Sequence, residues 1–222
     1  MMNLADHIDH TILKPTTTSE DISQLCREAA DEGFAAVCVP PCYVGMAKRL
    51  LEETNVKVAT VIGFPFGYNC TASKAEEIKQ ALEDGADELD MVHNIAALRE
   101  GNVDYLTSEI NICSRLVHHS GKLIKVIVES GILTDEELKR CCELYAPLEI
   151  DFMKTSTGYA DVGATVEAVR TMRKHLPPHI SIKASGGIRT FEFAMTLINA
   201  GATRLGCSAS ISIMEAARTV KS

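Results

Sequence analysis

The chain has 222 residues, of which 46% are hydrophobic and 23% charged, and its formal net charge is −8. This composition is typical of a soluble globular protein with a sizeable core, and it excludes a disordered chain or a coiled coil. The negative charge argues against a nucleic-acid partner, because such partners are held by basic surfaces that neutralise phosphates.

Short apolar runs alternate with longer amphipathic patterns along the whole chain, which is the rhythm of repeated strand–helix units. Eight strands are predicted, at residues 7–13, 34–39, 57–62, 88–92, 122–128, 150–154, 180–184 and 203–206. Eight helices are predicted between and after them, at residues 19–32, 43–54, 71–84, 102–119, 134–145, 161–175, 190–200 and 208–219. No linker divides the chain, so we expect residues 1–222 to form one α/β domain, a (β/α)8 TIM barrel.

Helix boundaries carry capping residues. A Gly stands where a helix gives way to a strand in DEGFAAVCV, EDGADELDMV and NAGATRLGC. Thr18 or Ser19, Thr134 and Asp161 are predicted to open the first, fifth and sixth helices, because their side chains accept bonds from the free N–H groups of a first turn.

The eight cysteines are scattered through apolar or helical contexts and are interpreted as reduced thiols. No paired Cys or His motif indicates zinc, so no metal is expected. The start, MMNLADHIDH, lacks the regions of a secretory signal, and no run approaches the roughly 18 apolar residues of a membrane span. We therefore expect a cytoplasmic protein with no membrane partner.

Polar side chains occupy one face of several predicted strands. Because positions two apart share a face and the apolar face should pack on the helices, the alternation predicts polar groups inside the barrel. The residues expected there are Asp9, Thr11, Asp90 and Lys183. Lys154 ends the sixth strand and is expected at the barrel mouth, where such folds hold active sites.

Two lysines and a carboxylate at this mouth indicate Schiff-base chemistry. Lys154 can attack a carbonyl only as a neutral amine, and a neighbouring cation at Lys183 would lower its pKa. Asp90 could then act as the proton shuttle. The alternative is a buried ion-pair network that only stabilises the barrel, but one carboxylate for two amines would leave charge uncompensated. For Asp9 and Thr11, internal hydrogen bonds and contact with a substrate hydroxyl both stay open.

Loops rich in Gly and hydroxyl groups follow the last three strands, in the segments KTSTGY, KASGGIRT and LGCSAS. Gly lets the backbone approach an anion closely, and the seventh and eighth loops are where barrels commonly bind phosphate. Gly186, Gly187 and Ser208 are therefore predicted to form a phosphate cradle. Simple tight turns between strands and helices are the alternative.

The segments IDHTILKP, GADELDMVHNIAAL, DFMKTSTG and IKASGGIRT resemble, in sequence, order and spacing, the deoxyribose-phosphate aldolase family over most of the chain. The resemblance implies that Lys154 forms the Schiff base, that Lys183 lowers its pKa and that Asp90 takes part in proton relay. The substrate contacts that it implies are Asp9, Thr11, Thr155, Gly158, Gly186, Gly187 and Ser208.

The resemblance also implies a reaction, the reversible cleavage of 2-deoxy-D-ribose 5-phosphate to D-glyceraldehyde 3-phosphate and acetaldehyde in deoxyribose catabolism. The iminium is the electron sink, so no cofactor is expected. Family members are often dimers, and a homodimer or higher homo-oligomer is expected here.

Three positions depart from the family pattern. His93 stands where an apolar residue is expected, and Cys207 replaces a Thr, which leaves the predicted cradle one hydroxyl poorer. The chain ends ARTVKS, without the tyrosine that helps proton transfer in some members, so the proton-return step is expected to be affected.

Two other functions remain open. An isomerase or epimerase for phosphosugars would share the phosphate loops but would not need paired lysines. A catalytically inactive binding or assembly protein would keep the fold but could lose Lys154, Lys183 or Asp90, all of which are present.

Overall fold

The computed structural model describes residues 3–221 and forms a closed barrel of eight parallel strands in chain order. The strands are β1 Ile8–Thr11, β2 Ala36–Val39, β3 Lys57–Ile62, β4 Glu88–Val92, β5 Leu123–Ile127, β6 Phe152–Lys154, β7 Ser181–Ser185 and β8 Arg204–Cys207. Because β8 pairs with β1, the sheet has no free edge. The TIM-barrel prediction is confirmed. Residues 1, 2 and 222 of the predicted domain lie outside the described part.

Helices surround the barrel. They are α1 Ser19–Glu32, α2 Val44–Leu50, α3 Thr71–Glu83, α4 Ile95–Arg99, α5 Val103–His119, α6 Asp135–Tyr145, α7 Val166–His175, α8 Phe191–Ala200 and α9 Ser210–Lys221. Every predicted helix is present, and the short α4 is additional. The side chains at the end of α9, where the expectation about a tail tyrosine applies, lie outside the described residues.

The start of the sixth predicted helix is wrong. Helix α7 begins at Val166, and Thr165 caps it by accepting a hydrogen bond from the N–H of Ala168. Residues 161–164 form a loop instead, because Gly163 packs against the backbone of Gly186, where an added Cβ would lie 2.3 Å from the Gly186 carbonyl oxygen. Asp161 therefore opens no helix.

Other boundaries differ from the prediction as well. Strand β1 covers Ile8–Thr11 rather than residues 7–13, and β2 and β6 begin at Ala36 and Phe152 rather than at residues 34 and 150. Helix α2 ends at Leu50 rather than at residue 54. Helix α9 begins at Ser210, which leaves Ser208 in the preceding loop rather than at the helix start.

Other capping predictions are confirmed. Thr18 and Thr134 cap α1 and α6, each in a reciprocal pair with an acidic residue of the first turn. Gly33 ends α1 with φ 67°, a left-handed conformation that favours Gly.

The main hydrophobic core lies between the outer face of the barrel and the helices, with fully buried residues such as Ile8, Leu89 and Ile182. Burying each such side chain stabilises the fold by roughly 1.5–3 kcal/mol. The barrel interior is divided. A small apolar cluster from β2 and β3 fills one side, formed by Ala36, Cys38, Ala59 and Val61. Charged side chains from the other strands fill the rest.

All eight cysteines are free thiols, as predicted. No helix within residues 3–221 is long and apolar enough to cross a membrane.

Candidate functional site

Seven charged side chains meet inside the barrel and form what we call the interior cluster. Its members are Asp9, Glu88, Asp90, Lys125, Lys154, Lys183 and Arg204. They come from β1, β4, β5, β6, β7 and β8, and all except Arg204 are almost completely buried. The alternation of strand faces therefore brings Asp9, Asp90 and Lys183 together with Lys154, as predicted.

Asp90 is the centre of the cluster. Lys154 and Lys183 are paired in register on adjacent strands, and their Nζ atoms lie 2.8 and 2.7 Å from the same Asp90 oxygen, Oδ2. Lys125 donates to the other oxygen, Oδ1, at 2.6 Å. One carboxylate thus accepts hydrogen bonds from three amines.

Two further carboxylates lie deeper in the barrel. Lys183 also donates to Oδ2 of Asp9, and Arg204 Nη1 lies 2.5 Å from Oδ1 of Asp9. Glu88 Oε2 lies 2.7 Å from Lys125 Nζ and 3.1 Å from Arg204 Nη1. The cluster thus holds three carboxylates and four basic groups. The expectation of one carboxylate for two amines was wrong, so charge counting does not exclude a purely structural network.

The pKa values of the two paired lysines shift in opposite directions, and this difference favours a catalytic role over a purely structural one. Burial lowers the pKa of Lys154, and the charge of Lys183 lowers it further against the opposing effect of Asp90. Lys183 is equally buried, but its two carboxylate partners, Asp9 and Asp90, raise its pKa. The pair therefore favours a neutral amine at Lys154 beside a permanent cation at Lys183.

A cavity of about 680 Å³ opens at the carboxyl ends of the strands, within the range of roughly 300–1,000 Å³ that is usual for small ligands. Among the cluster members, Lys154 alone lines it, with 2% of its surface exposed. Asp90 and Lys183 lie directly beneath that amine. The amine with the lowered pKa is thus the one that a ligand can reach.

Three glycines of the predicted phosphate loops line the same cavity. Gly158, Gly186 and Gly187 have φ values of 89°, 86° and 76°, a region that favours Gly. A Cβ added to Gly158 or Gly187 would meet no atom within 4 Å, so the backbone of both faces open space. Ser208 lines the cavity as well. The fold therefore brings the three loops together, which suits an anion, although left-handed turns alone would also need Gly.

The other predicted substrate residues are placed differently. Thr11 lines the cavity and donates its hydroxyl to the Asp9 carbonyl at 2.8 Å. Thr155 is fully buried behind the cavity wall, where its hydroxyl accepts from the N–H of Ser185 at 3.1 Å. Asp9 does not reach the cavity, since its carboxylate is held by Lys183 and Arg204. Substrate contact by these three residues stays a prediction.

Glu129 holds the loop after β6, a role that the sequence analysis missed. Its carboxylate accepts both the N–H and the hydroxyl of Thr157, which lines the cavity three residues after Lys154. Its backbone is left-handed, with φ 55° and ψ 56°, a conformation that costs a residue with a side chain about 1–3 kcal/mol. Burial raises the pKa of this carboxyl group. The buried carboxylate, on a strained backbone, therefore holds the loop that follows Lys154.

Two of the departures from the family pattern are now located. His93 is fully buried outside the cavity lining, and its Nδ1 lies 2.7 Å from the hydroxyl of Tyr145 on α6. Cys207 is buried at the cavity edge, with Sγ 3.4 Å from Oγ of Ser210. His93 thus affects the packing behind β4 rather than the shape of the pocket.

Several other basic and acidic residues of the site were not predicted. Lys125, Glu88 and Arg204 complete the interior cluster, while Lys14 and Arg189 line the cavity. A single Lys within the apolar run LIKVIV was a usable signal for Lys125, because Lys is almost never buried without a partner. Lys14 and Arg189 lie in loops, where no alternation of faces predicts which way a side chain points.

Comparisons with a family model, with related sequences and with solved structures agree with one another. A family model described as DeoC/LacD family aldolase matches residues 4–212. A protein of Thermococcus gammatolerans named deoxyribose-phosphate aldolase is 51% identical over 222 residues and covers 99% of each chain. One of that name from Caldanaerobacter subterraneus subsp. tengcongensis is 46% identical, covering 97% of this chain and 94% of its own. A solved structure, described as the unique tetrameric structure of deoxyribose phosphate aldolase from Aeropyrum pernix, has a TM-score of 0.91 at 32% identity, covering 98% and 92%.

Proposed function

Because the chain belongs to the DeoC/LacD family of aldolases, we propose that it is a class I aldolase acting on 2-deoxy-D-ribose 5-phosphate. It would cleave this sugar reversibly into D-glyceraldehyde 3-phosphate and acetaldehyde through a lysine Schiff base. The observation that carries the proposal is the pair Lys154 and Lys183, since the amine that reaches the cavity is also the one whose pKa is lowered.

The reaction begins with the neutral amine of Lys154. Its lone pair adds to the C1 aldehyde of the open-chain sugar, and loss of water gives an iminium. Removal of the C3 hydroxyl proton then lets the C2–C3 bonding pair move towards the iminium, which becomes an enamine. D-glyceraldehyde 3-phosphate leaves with the new C3 carbonyl. Protonation of the enamine at C2 and hydrolysis release acetaldehyde and regenerate the amine.

Asp90 and Lys183 support this chemistry from beneath the amine. Burial alone would raise the pKa of Asp90, but Lys125, Lys154 and Lys183 hold it well below its usual range. A carboxylate of this kind accepts a proton poorly, so we assign Asp90 the part of orienting the amines and a water molecule that carries the proton. Lys183 supplies the charge that keeps Lys154 neutral and a donor for that water.

The anion end of the substrate would lie at the glycine loops. Backbone N–H groups near Gly158, Gly186 and Gly187, with the Ser208 hydroxyl, would hold the phosphate. Lys14 and Arg189 line the same cavity and would balance its charge. The iminium carries the electron pair, so the proposed reaction needs no cofactor.

We further propose that the protein acts in the cytoplasm, in deoxyribose phosphate catabolism, as a homo-oligomer. Eight free thiols suit a reducing compartment. The tetramer described for the Aeropyrum pernix relative supports the oligomer.

A cleavage assay tests the proposal. Acetaldehyde release from 2-deoxy-D-ribose 5-phosphate should be measured for the wild type and for Lys154→Leu. We expect turnover by the wild type and loss of at least about 100-fold in the variant, because the covalent step needs the amine. A wild-type chain that converts the sugar phosphate without releasing acetaldehyde would indicate an isomerase or epimerase and contradict the proposal.

A further inference from the structure

His10 is a buried histidine that the proposed chemistry does not use. It lies on β1 with only 4% of its surface exposed, on the face opposite Asp9, and its ring packs against Phe34 with centroids 5.3 Å apart. Both ring nitrogens have partners. Nδ1 lies 3.0 Å from Oγ of Ser210, and Nε2 lies 2.8 Å from Oε2 of Glu28.

These contacts form a chain of hydrogen bonds that ends at the cavity wall. Ser210 is the first residue of α9, and its hydroxyl donates to the Cys207 carbonyl at 2.9 Å. Cys207 and Ser208 line the cavity, as do His10 and Glu28 themselves. The chain from Glu28 through His10 and Ser210 to Cys207 therefore ties helix α1 to the loop between β8 and α9, which is one wall of the proposed cradle.

The number of hydrogens decides when this chain is complete. Its three hydrogen bonds need three hydrogens, and the Ser210 hydroxyl supplies one to Cys207. A neutral imidazole can donate only one further hydrogen, so one of the three bonds has no hydrogen when Glu28 is ionised. An imidazolium donates two hydrogens, one to Glu28 and one to Ser210. All three bonds exist together only when His10 is charged.

Glu28 keeps its own charge. Burial would raise the pKa of Glu28, but hydrogen bonds from Gln24, at 2.7 Å, and from His10 hold it below its usual value. The additional proton that completes the chain of hydrogen bonds is therefore carried by the His10 ring.

The protein groups around His10 oppose its charge. Burial lowers the pKa of His10, and Glu28 on α1 and the Cys207 carbonyl on β8 offset this only in part. Among residues 3–221, the other charged groups that line the cavity are Asp21 on α1, Lys14 after β1, Arg189 after β7 and Lys154 at the end of β6. An anion at the glycine loops would add the negative charge that favours the imidazolium.

We propose that His10 is a positioning residue for the phosphate cradle. An anion bound against the loop between β8 and α9 causes His10 to take up a proton, and the completed chain of hydrogen bonds then holds that loop in place. The proposal rests on the proposed function for the identity of the anion, the phosphate of the substrate. Specificity for phosphorylated sugars would then depend partly on a residue that does not itself contact the phosphate.

Sulfate is a suitable probe, because it stays a dianion across neutral pH and takes no part in Schiff-base chemistry. Calorimetric titration with sulfate at pH 7, in buffers with different ionisation enthalpies, measures the protons taken up on binding. We expect net uptake by the wild type and none by His10→Asn or Glu28→Gln. The matched control is His118→Asn, which breaks another histidine–carboxylate pair, to Asp151 at 2.8 Å and outside the cavity. This variant should take up protons like the wild type.

The same titration over pH gives a second readout. Because the complex holds more protons than the free protein, wild-type affinity for sulfate should fall as pH rises from about 6 to 8, by at most tenfold per pH unit. Affinity of His10→Asn should not depend on pH. Absence of proton uptake by the wild type, equal uptake by His10→Asn, or no sulfate binding at all would overturn the proposal. None of these results affects acetaldehyde release, which tests the proposed function separately.

Two substitutions test the two hydrogen bonds of the His10 ring separately. Asn places its amide near the position of Nδ1 and can keep the bond to Ser210, while Gln reaches the position of Nε2 and keeps the bond to Glu28. We expect His10→Gln to raise KM for the sugar phosphate about tenfold, from a lost hydrogen bond, and His10→Asn to raise it less than about threefold. Urea unfolding of both variants checks that they are folded. The reverse order of KM values would show that the loop does not depend on Ser210 and would overturn the proposal.

Discussion

Lys154 and Lys183 donate hydrogen bonds to the same oxygen atom, Oδ2 of Asp90, yet their pKa values move in opposite directions. Both amines are buried, so burial acts on them alike. The difference comes from Asp9, which pairs with Lys183 and stabilises its charge, and from Lys183 itself, which repels a proton on Lys154. A second carboxylate on one side of the pair thus selects which amine has the lowered pKa.

Removing the cation should move the pH dependence of the reaction. In Lys183→Met the pKa of Lys154 should rise, because the repulsion that lowers it is gone. The acidic limb of the profile of kcat/KM against pH should move to higher pH, and activity at pH 7 should fall at least about 100-fold. Lys79→Met is the control, since it also removes a lysine charge but lies outside the interior cluster, and its acidic limb should stay in place. An acidic limb that stays in place in Lys183→Met would contradict this reasoning.

Lys125 should be needed for stability. It is fully buried between Asp90 and Glu88, so Lys125→Met leaves two buried carboxylates short of a partner. We expect a loss of about 3–5 kcal/mol in the free energy of unfolding by urea. Lys79→Met removes the exposed pair with Glu76 and should cost less than about 1 kcal/mol. Equal losses in the two variants would show that the interior cluster is not the stabilising feature.

His93 should make the fold sensitive to acid. Burial and the charge of Lys74 lower its pKa from 6.5 to about 3, so the unfolded chain binds a proton between these values that the folded chain does not. Stability is therefore fully present above about pH 6.5 and falls as pH decreases towards 3. His93→Leu combined with Tyr145→Phe removes the histidine without leaving the tyrosine hydroxyl unpaired. Unfolding free energies measured from pH 7 to 4.5 should decline less steeply in this double variant, and parallel declines would refute the assignment.

Glu129 should be required for full activity. Glu129→Gln replaces one acceptor oxygen by an amide N–H, so the loop with Thr157 loses a hydrogen bond and Lys154 is held less firmly. We expect kcat/KM to fall about tenfold. Glu137→Gln is the control, because Glu137 accepts the N–H and hydroxyl of Thr134 in the same way at the exposed start of α6. A similar loss of activity in both variants would mean that the effect is not specific to the site.

The repeated strand–helix rhythm was sufficient to predict the barrel, and strand alternation was sufficient to predict that Asp90 and Lys183 lie inside it. Asp90 and Lys183 each lie opposite apolar neighbours in short strands, so their inward direction could be inferred without any knowledge of contacts. The same rule was applicable to Lys125 in β5 and Arg204 in β8. Lys125, however, shares its face with the apolar Leu123 and Ile127, and Arg204 stands at the first position of a strand of four residues. The number of cations inside the barrel was consequently underestimated.

Loop contacts could not be predicted, because no periodicity governs them. The bond from His10 to Ser210 joins residues 200 positions apart, and the packing of Gly163 on Gly186 depends on two loops meeting above the barrel. That packing also explains why Asp161 does not begin a helix. Local capping chemistry was favourable at Asp161, but the tertiary contact determined where α7 starts.

The most direct test of the central claim is to trap the Schiff base. The protein is incubated with 2-deoxy-D-ribose 5-phosphate, reduced with borohydride and digested, and the modified lysine is located by mass spectrometry. We expect a single adduct on Lys154, with Lys183 unmodified, because among the lysines of the described residues only Lys154 combines a lowered pKa with access to the cavity. An adduct on Lys183, or no adduct while the sugar phosphate is being turned over, would contradict the assignment of the nucleophile.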